Sequence, residues 1–438
     1  MDEITVALVA TGLIFVLLAL GTPVFAALAV AGAFGIATIE GLDFVLNRLK
    51  AFSYSQTAVY LLTVIPLFIL MGNFAQQAGV GLRLFDVARK WVGHLPGGLA
   101  VASVLTSAGF AATSGSSVAT AATVGAVAIP EMKKAGYDRR LSAGAVAAGG
   151  VLGVLIPPSV LLIFYAALTE VSAGKMLVAG VLPGLLSTLV FIVGIFIIAT
   201  RIAPSTMFAQ RHDWWERIVS LKQAWQVAVL FVVVLGGIYL GFVTPTEAGA
   251  VGAFTAFLML IFSRQSKTRL WSSINGSLRS SITTTVMILF TMLGAGIFSY
   301  FLTLVQIPQL IAEYVTTLEL SPLLIIGLFL LVYLPLGMFL DAFSMLVITL
   351  PVMFPTVTAL GFDPIWFGIL AVKMCEIGLI TPPVGLNVFV IAGIDRETPL
   401  VDIFRGAGWF VVMEIVTTLL IFFFPVIVTS LPETMMGK

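Results

Sequence analysis

Four short stretches interrupt apolar segments with residues whose oxygens could hold a small cation or an anionic solute: Ser114 to Ser117, Gly153 to Pro158, Gly337 to Asp341 and Gly378 to Pro383. Proline lacks the N–H that an upstream carbonyl needs, so the pairs Pro157-Pro158 and Pro382-Pro383 leave carbonyl oxygens without partners. Such oxygens can ligate Na⁺ without an acidic residue, and the positive end of a broken helix favours an anionic group. Ser116 and Ser117 at the first break, Asp341 at the second hydroxyl-poor one and Asn387 after the second proline pair are the candidate contacts for a solute. Asp341 has no basic residue near it in the sequence, and an ionisable side chain within an apolar segment is functional by default. On the purely structural alternative, these glycines and prolines only kink packed helices.

Other chemistries have little to work with. Cys375 is the only cysteine, which excludes a disulfide within the chain and a thiolate metal cluster. His94 and His212 lie in polar connecting segments, where solvation is the expected role. No nucleophile–base constellation, no histidine pair within a span and no nucleotide-binding loop is present, so the chain is read as a non-enzyme without nucleic-acid partners. Glu247 follows Thr244-Pro245-Thr246 and reads as the acid of a helix capping box. Lys373 and Glu376, three apart on one helix, are spaced to pair with each other.

The elements that carry these residues must lie in lipid. Of the chain, 60% is hydrophobic and 10% charged, against roughly 25% charged in a soluble domain. Apolar runs able to cross a core of about 30 Å recur throughout, which predicts an all-α polytopic membrane protein. The N-terminus passes from Met1 through two acids into an apolar stretch without a basic leader region, and is read as a retained first span. The segments 97 to 130 and 321 to 360 exceed the about 20 residues of a crossing helix and break near their middles. They are expected to be re-entrant hairpins, the alternative being two crossing helices with a very tight loop. Segments 141 to 168 and 365 to 393 read as broken helices. The polar connection 201 to 224 carries Trp214 and Trp215 beside basic residues, as suits a helix in the membrane interface.

The chain repeats itself. Pro130, Gly136 and Asp138 recur as Pro355, Gly361 and Asp363 at a constant offset of 225, which also aligns GVLIPP (Gly153 to Pro158) with GLITPP (Gly378 to Pro383). Residues 1–200 and 225–438 are therefore expected to be two related halves joined by the linker 201–224. Threading the segments places 17 of the 22 Lys and Arg residues in loops on one face, with Arg48, Lys50, Lys175 and Lys438 opposite and Lys373 inside a span. The basic face is cytoplasmic by the positive-inside rule, so the loop at 131 to 140 is inside and its counterpart at 361 to 366 outside. The halves are thus expected to be inverted, as alternating access requires.

SGSSVATAATVGAVAIPEMKKAGYDRRLSAGAVAAGGVLGVLIPPS (Ser114 to Ser159), together with GLITPPVGLNVFV (Gly378 to Val390), resembles the DctM-type large membrane subunit of tripartite ATP-independent periplasmic (TRAP) transporters. The resemblance covers essentially the whole chain. It implies the inverted-repeat ion transporter superfamily fold, a scaffold and an elevator transport domain, and Na⁺ as coupling ion in the bacterial inner membrane. It also implies a four-helix small membrane subunit (DctQ-type), here a separate polypeptide, and a periplasmic solute-binding protein (DctP-type). The solute implied is an organic acid: a C4-dicarboxylate, another carboxylate or a sialic acid. Carried over by motif, one Na⁺ site would use Ser114, Gly153, Ile156 and Pro158, and a second Gly337, Gly378, Thr381 and Val384. The alternative is a self-sufficient Na⁺/carboxylate carrier of the same superfamily that needs no periplasmic protein.

Overall fold

The computed structural model describes residues 3–47, 58–201, 212–263, 270–317 and 320–435, and every regular element among them is helical. In the first half, α1 (Glu3–Ala19), α2 (Val24–Glu40), α3 (Val64–Gln77) and α4 (Val80–Val92) precede a pair, α5 (Gly98–Ser114) and α6 (Ser117–Lys134), that meets at the first break. Then α7 (Arg139–Leu155) and α8 (Val160–Thr169) flank the first proline pair, followed by α9 (Ala173–Ala179) and α10 (Val181–Arg201). The second half follows a like order. After α11 (Trp214–Leu221), α12 (Trp225–Phe231) runs into a π turn at Val232–Gly236; α13 (Pro245–Phe262), α14 (Leu270–Leu304) and α15 (Ile307–Thr317) follow. The pair α16 (Pro322–Gly337) and α17 (Ala342–Ala359), the pair α18 (Pro364–Gly378) and α19 (Leu386–Ile394), then α20 (Leu400–Phe423) and α21 (Val426–Glu433) complete it. Among the described residues, seven helical stretches are long and apolar enough to cross a membrane, or eight if α7 and α8, bent by 44°, count as one. The chain is a multi-pass integral membrane protein.

Each long segment doubles back. The Leu99 N–H at the start of α5 donates to the Tyr137 hydroxyl just beyond α6, at 3.0 Å, so this pair enters and leaves at one end. The arms α16 and α17 are tied across by the Thr349 hydroxyl, which donates to Tyr333 Oη at 2.7 Å.

The single helix α20 measures the placement of the two halves. At its start, Asp402 accepts from Arg140 Nε at 3.2 Å; near its end, the Ile421 carbonyl accepts from Trp366 Nε1 at 3.0 Å. Arg140 and Trp366 begin the corresponding helices α7 and α18, yet they touch α20 nineteen residues apart, about 28 Å at 1.5 Å per residue. That is close to one hydrocarbon thickness. Basic residues of the described loops gather at the Arg140 end. There Lys133 pairs with Asp395 at 2.5 Å, Arg89 with Asp86 at 2.9 Å, and Trp91 Nε1 donates to the Arg217 carbonyl at 3.1 Å. Burial opposes the Asp395 charge, but hydrogen bonds from Lys133 and Thr398 outweigh it and hold that carboxyl below the usual range.

Small residues bring the helices together. The halves exchange partners, α2 packing along α14 and α13 along α3. A Cβ on Gly32 would lie 2.8 Å from Phe298 Cα, and one on Gly294 would lie 2.1 Å from the Phe25 carbonyl oxygen. Close backbone approach through small residues is the usual solution in lipid, where apolar burial alone drives little association. One apolar cluster surrounds α5, α6, α7 and α20, while the other runs continuously from α1–α3 into α16–α18.

One local reading holds in detail. Thr244 and Glu247 form the reciprocal capping box, with Pro245 opening α13. Thr244→Ala is expected to lower thermal stability in detergent by about 1 kcal/mol without changing transport. Trp214 and Trp215 are exposed on the short amphipathic helix α11, with Trp214 edge-on to Trp91; residues 202–211 of the linker lie outside the described part.

Candidate functional site: a cavity at the helix breaks

The breaks arise where helix N-caps take over from the chain's own backbone ladder. Ser116 caps α6, accepting from Ala119 N at 3.4 Å, and Ser159 caps α8, accepting from Leu162 N at 3.2 Å. Asp341 caps α17, accepting from Phe343 N at 3.0 Å and Ser344 N at 3.2 Å, and also takes the Ser344 hydroxyl. Gly385, at φ 57°, turns the chain into α19.

First turns of all four of these helices border one cavity of about 520 Å³. Ser116, Ser117 and Val118 come from α6 and its cap, Val160 and Leu161 from α8, Asp341 and Ala342 from α17 and its cap, and Leu386 from α19. Four positive helix ends therefore face a common space, although no Lys, Arg or His lines it. Such an arrangement suits an anion drawn by the helix dipoles and held by hydroxyls, the N–H groups of Ala119, Leu162, Phe343 and Ser344 being taken by the caps. The opposite wall comes from α3 and α14 and includes Asn73, Gln76, Ser280 and Thr284. Asn73 Nδ2 donates to Ser281 Oγ at 2.8 Å, which joins those two helices.

Of the sequence-derived solute contacts, Ser116, Ser117 and Asp341 line this cavity and Asn387 does not. Asn387 is fully buried behind it: its amide nitrogen lies 3.0 Å from the place a Cβ on Gly150 would take, and neither amide atom has a hydrogen-bond partner. Around the first break, Ser114 Oγ lies 2.8 Å from Thr120 Oγ1, which donates to the Ser116 carbonyl at 2.8 Å. A Cβ on Gly153 would lie 2.6 Å from that same carbonyl oxygen, and one on Gly115 would lie 2.7 Å from the Pro158 oxygen. Ser114, Gly153 and Pro158 thus converge on the first tip, while Ile156 faces Gly184 of α10. Around the second break, Gly337 and Gly378 bring their backbones together: a Cβ on either would lie 2.6 Å from the other's Cα. The Thr381 hydroxyl donates to the Ile377 carbonyl at 2.7 Å, and the Thr381 carbonyl points at Gly385; Val384 lies half-buried on the same turn. The two breaks differ in access. Ile156 to Pro158 are buried, whereas Pro382 and Pro383 are exposed.

One sequence expectation is corrected here. Lys373 does not pair with Glu376; it pairs with Glu414 of α20, with Ser187 Oγ as a second partner at 2.8 Å, and all three side chains are buried. Side chains three apart on a helix diverge by about 60°, enough here for Lys373 to face α20 and Glu376 to face the cavity. Glu376 is consequently the functional-site candidate that sequence reasoning missed. It is fully buried, lines the cavity and has neither carboxylate oxygen hydrogen-bonded.

If Ser114 contributes its oxygen to a bound cation, Ser114→Ala will raise the Na⁺ concentration for half-maximal transport by roughly tenfold. The accompanying stability loss should be only about 1 kcal/mol, because the lost contact is one neutral hydrogen bond. Na⁺ titration of uptake and a thermal melt of the same preparation check both parts.

The fold and this cavity define a class, that of membrane permeases built around broken helices. The chain matches the family model "Tripartite ATP-independent periplasmic transporter, DctM component" over residues 11–427, and it belongs to that family. It is 42% identical over 379 residues to the C4-dicarboxylate TRAP transporter large permease protein DctM of Pseudomonas aeruginosa, covering 85% of this chain and 86% of that one. It is 32% identical to the sialic acid TRAP transporter large permease protein SiaM of Vibrio cholerae, covering 86% and 87%. In fold it is similar to the Alcanivorax borkumensis YdaH transporter, with a TM-score of 0.62 at 16% identity over 96% of this chain and 98% of that one.

Proposed function

We propose that this chain is the translocating subunit of a Na⁺-coupled importer of an organic acid in the bacterial inner membrane. The observation that carries the reading is the convergence of four helix N-termini on a cavity without a basic side chain. Fixed peptide dipoles attract a carboxylate yet let it leave, since no permanent ion pair has to be broken. Na⁺ ions at the two breaks, held largely by carbonyl oxygens, would supply the charge that draws the anion inward. A C4-dicarboxylate is the first cargo to test, given the similarity to the Pseudomonas protein, and a sialic acid the second.

Movement in this account is of the elevator kind. The hairpins α5–α6 and α16–α17, the broken helices and α20 carry the solute as one body past a frame of α1–α3, α13 and α14. A DctQ-type small subunit braces the frame, and a DctP-type periplasmic protein delivers the solute, in keeping with the tripartite make-up of the family.

Proteoliposomes holding the assembled membrane complex, supplied with the periplasmic protein and labelled succinate or sialic acid, test this directly. An inward Na⁺ gradient should drive accumulation that collapses when the gradient is removed. Equal uptake with no Na⁺ gradient contradicts the coupling, and undiminished uptake without the periplasmic protein contradicts the delivery step.

A further inference from the structure

Where α3, α4, α12 and α13 meet, one cation is held entirely by neutral groups. Arg83 of α4 donates from Nη1 to Gln226 Oε1 of α12 at 2.9 Å, and from Nη2 to the Ala78 carbonyl at the end of α3 at 2.8 Å and to Ser263 Oγ just beyond α13 at 3.2 Å. Gln226 and Ser263 are buried, and the Ser263 hydroxyl also donates to the Ala78 carbonyl at 3.2 Å, so the guanidinium rests on fixed partners. Those three bonds engage three of the five N–H donors that an arginine carries. The only acids on these four helices are Asp86 and Glu247. Asp86 is taken by Arg89 at 2.9 Å and Lys90 at 3.1 Å, and Glu247 belongs to the capping box at the opposite end of α13. Among the described residues, the Arg83 charge therefore has no counter-charge.

Arg83 lines a groove of about 650 Å³ between α4, α12 and α13, and most of that groove is apolar. Leu82, Val229 and Leu258 form its walls; Trp225 and Phe262, 50% and 79% exposed, flank it. The position along the membrane normal follows from α13. Its eighteen residues, Pro245–Phe262, span about 27 Å at 1.5 Å per residue, close to one hydrocarbon thickness. Ser263 and the guanidinium bonded to it consequently sit where hydrocarbon gives way to headgroups, and Trp225 is at the level where interfacial tryptophans gather. The same end holds Arg89 and the contact of Trp91 with Arg217, so it is the basic end, cytoplasmic by the positive-inside rule.

We propose that this groove binds one anionic phospholipid of the cytoplasmic leaflet, with the lipid phosphate on Arg83 and an acyl chain along Val229 and Leu258. The two halves of the site select the ligand together. A soluble anion would engage Arg83 and leave the apolar walls unused, whereas a neutral lipid would cover the walls and leave the charge unmatched. An arginine fork fits a phosphate with two parallel N–H bonds, and basic pockets between helices on the cytoplasmic side are sites for anionic headgroups. Because Arg83 already joins α4 to the ends of α3, α12 and α13, a lipid seated there braces that junction, whatever the cargo of the central cavity.

Native mass spectrometry of the purified, delipidated chain, given an equimolar mixture of phosphatidylglycerol and phosphatidylethanolamine, tests this. One phosphatidylglycerol should be retained in roughly tenfold preference, the factor expected for one charge-assisted contact. Arg83→Gln should erase the preference, and Arg83→Lys should keep part of it, since the charge remains without the fork. Leu258→Trp fills the groove without touching the partners of Arg83, and it should expel the lipid; this variant keeps the test open if Arg83→Gln fails to fold. Equal retention of the two lipids by the wild type overturns the proposal, as does a preference that survives in a folded Arg83→Gln or Leu258→Trp variant. Displacement of the lipid by inorganic phosphate overturns it in favour of a soluble anion. In the assembled complex, a photoreactive side chain at Leu258 should cross-link to phosphatidylglycerol; cross-linking to the small subunit instead overturns the proposal in favour of a partner helix.

Discussion

Glu414→Ala should lower stability by about 3–5 kcal/mol, because it strands the Lys373 ammonium without its anion in a fully buried position. Ser187 would remain as one neutral partner at 2.8 Å, too little to replace a carboxylate. Loss of folded protein in size-exclusion profiles and a much lower melting temperature in detergent are the expected readouts. The double variant Lys373→Met with Glu414→Leu removes both charges and keeps the volume, and it should recover most of the stability. An unstable double variant alongside a stable Glu414→Ala would show that the pair does not hold α18 against α20.

Gly378→Val should abolish transport while leaving a membrane-inserted chain. The β-carbon of any other residue at 378 would lie 2.6 Å from Gly337 Cα, a backbone atom that cannot rotate away. The second hairpin would have to separate from α18 next to the cavity, an overpacking cost of about 1–3 kcal/mol concentrated where geometry matters most. Uptake on the order of a hundredfold below wild type follows from such a misplacement. Gly361→Val, in the turn between α17 and α18, makes a useful contrast: a Cβ there meets nothing within 4 Å, although φ is +79°. Its effect should be confined to modest destabilisation from the strained backbone. Equal uptake by the two variants would mean that the Gly337–Gly378 contact is not required.

How local each signal is decides whether the sequence alone reveals it. Helix breaks at Gly115, Pro157-Pro158 and Pro382-Pro383, the Thr244 capping box and the doubling back of both long segments depend on residues within one or two turns, and they were legible. Asp341 was legible as special, but the structure gives it a capping role that its lack of a basic neighbour had concealed. Glu376 was missed because its isolation depends on Lys373 preferring Glu414, a residue 41 positions further along the chain. The far wall of the cavity was invisible for a related reason. Asn73, Gln76, Ser280 and Thr284 are single polar residues on the long helices α3 and α14, and only the packing of one half against the other gives them a common face. Asn387 is the reverse case, close in sequence to a break yet with its side chain buried behind the cavity rather than on its wall.

Relative motion of the hairpin-bearing body against the frame is the central claim, and distances between paired spin labels measure it most directly. Cys375 is the only cysteine and is buried, so a Cys375→Ser background accepts new labelling sites cleanly. Labels at Trp271 of α14 and Val401 of α20, both exposed, span the proposed frame and the proposed moving body; labels at Leu331 of α16 and Val401 would both lie within that body. On adding Na⁺ and solute to the assembled complex, the Trp271–Val401 distribution should shift to a second population while the Leu331–Val401 distribution stays unchanged. A Leu331–Val401 distance that changes while Trp271–Val401 stays fixed would contradict the account.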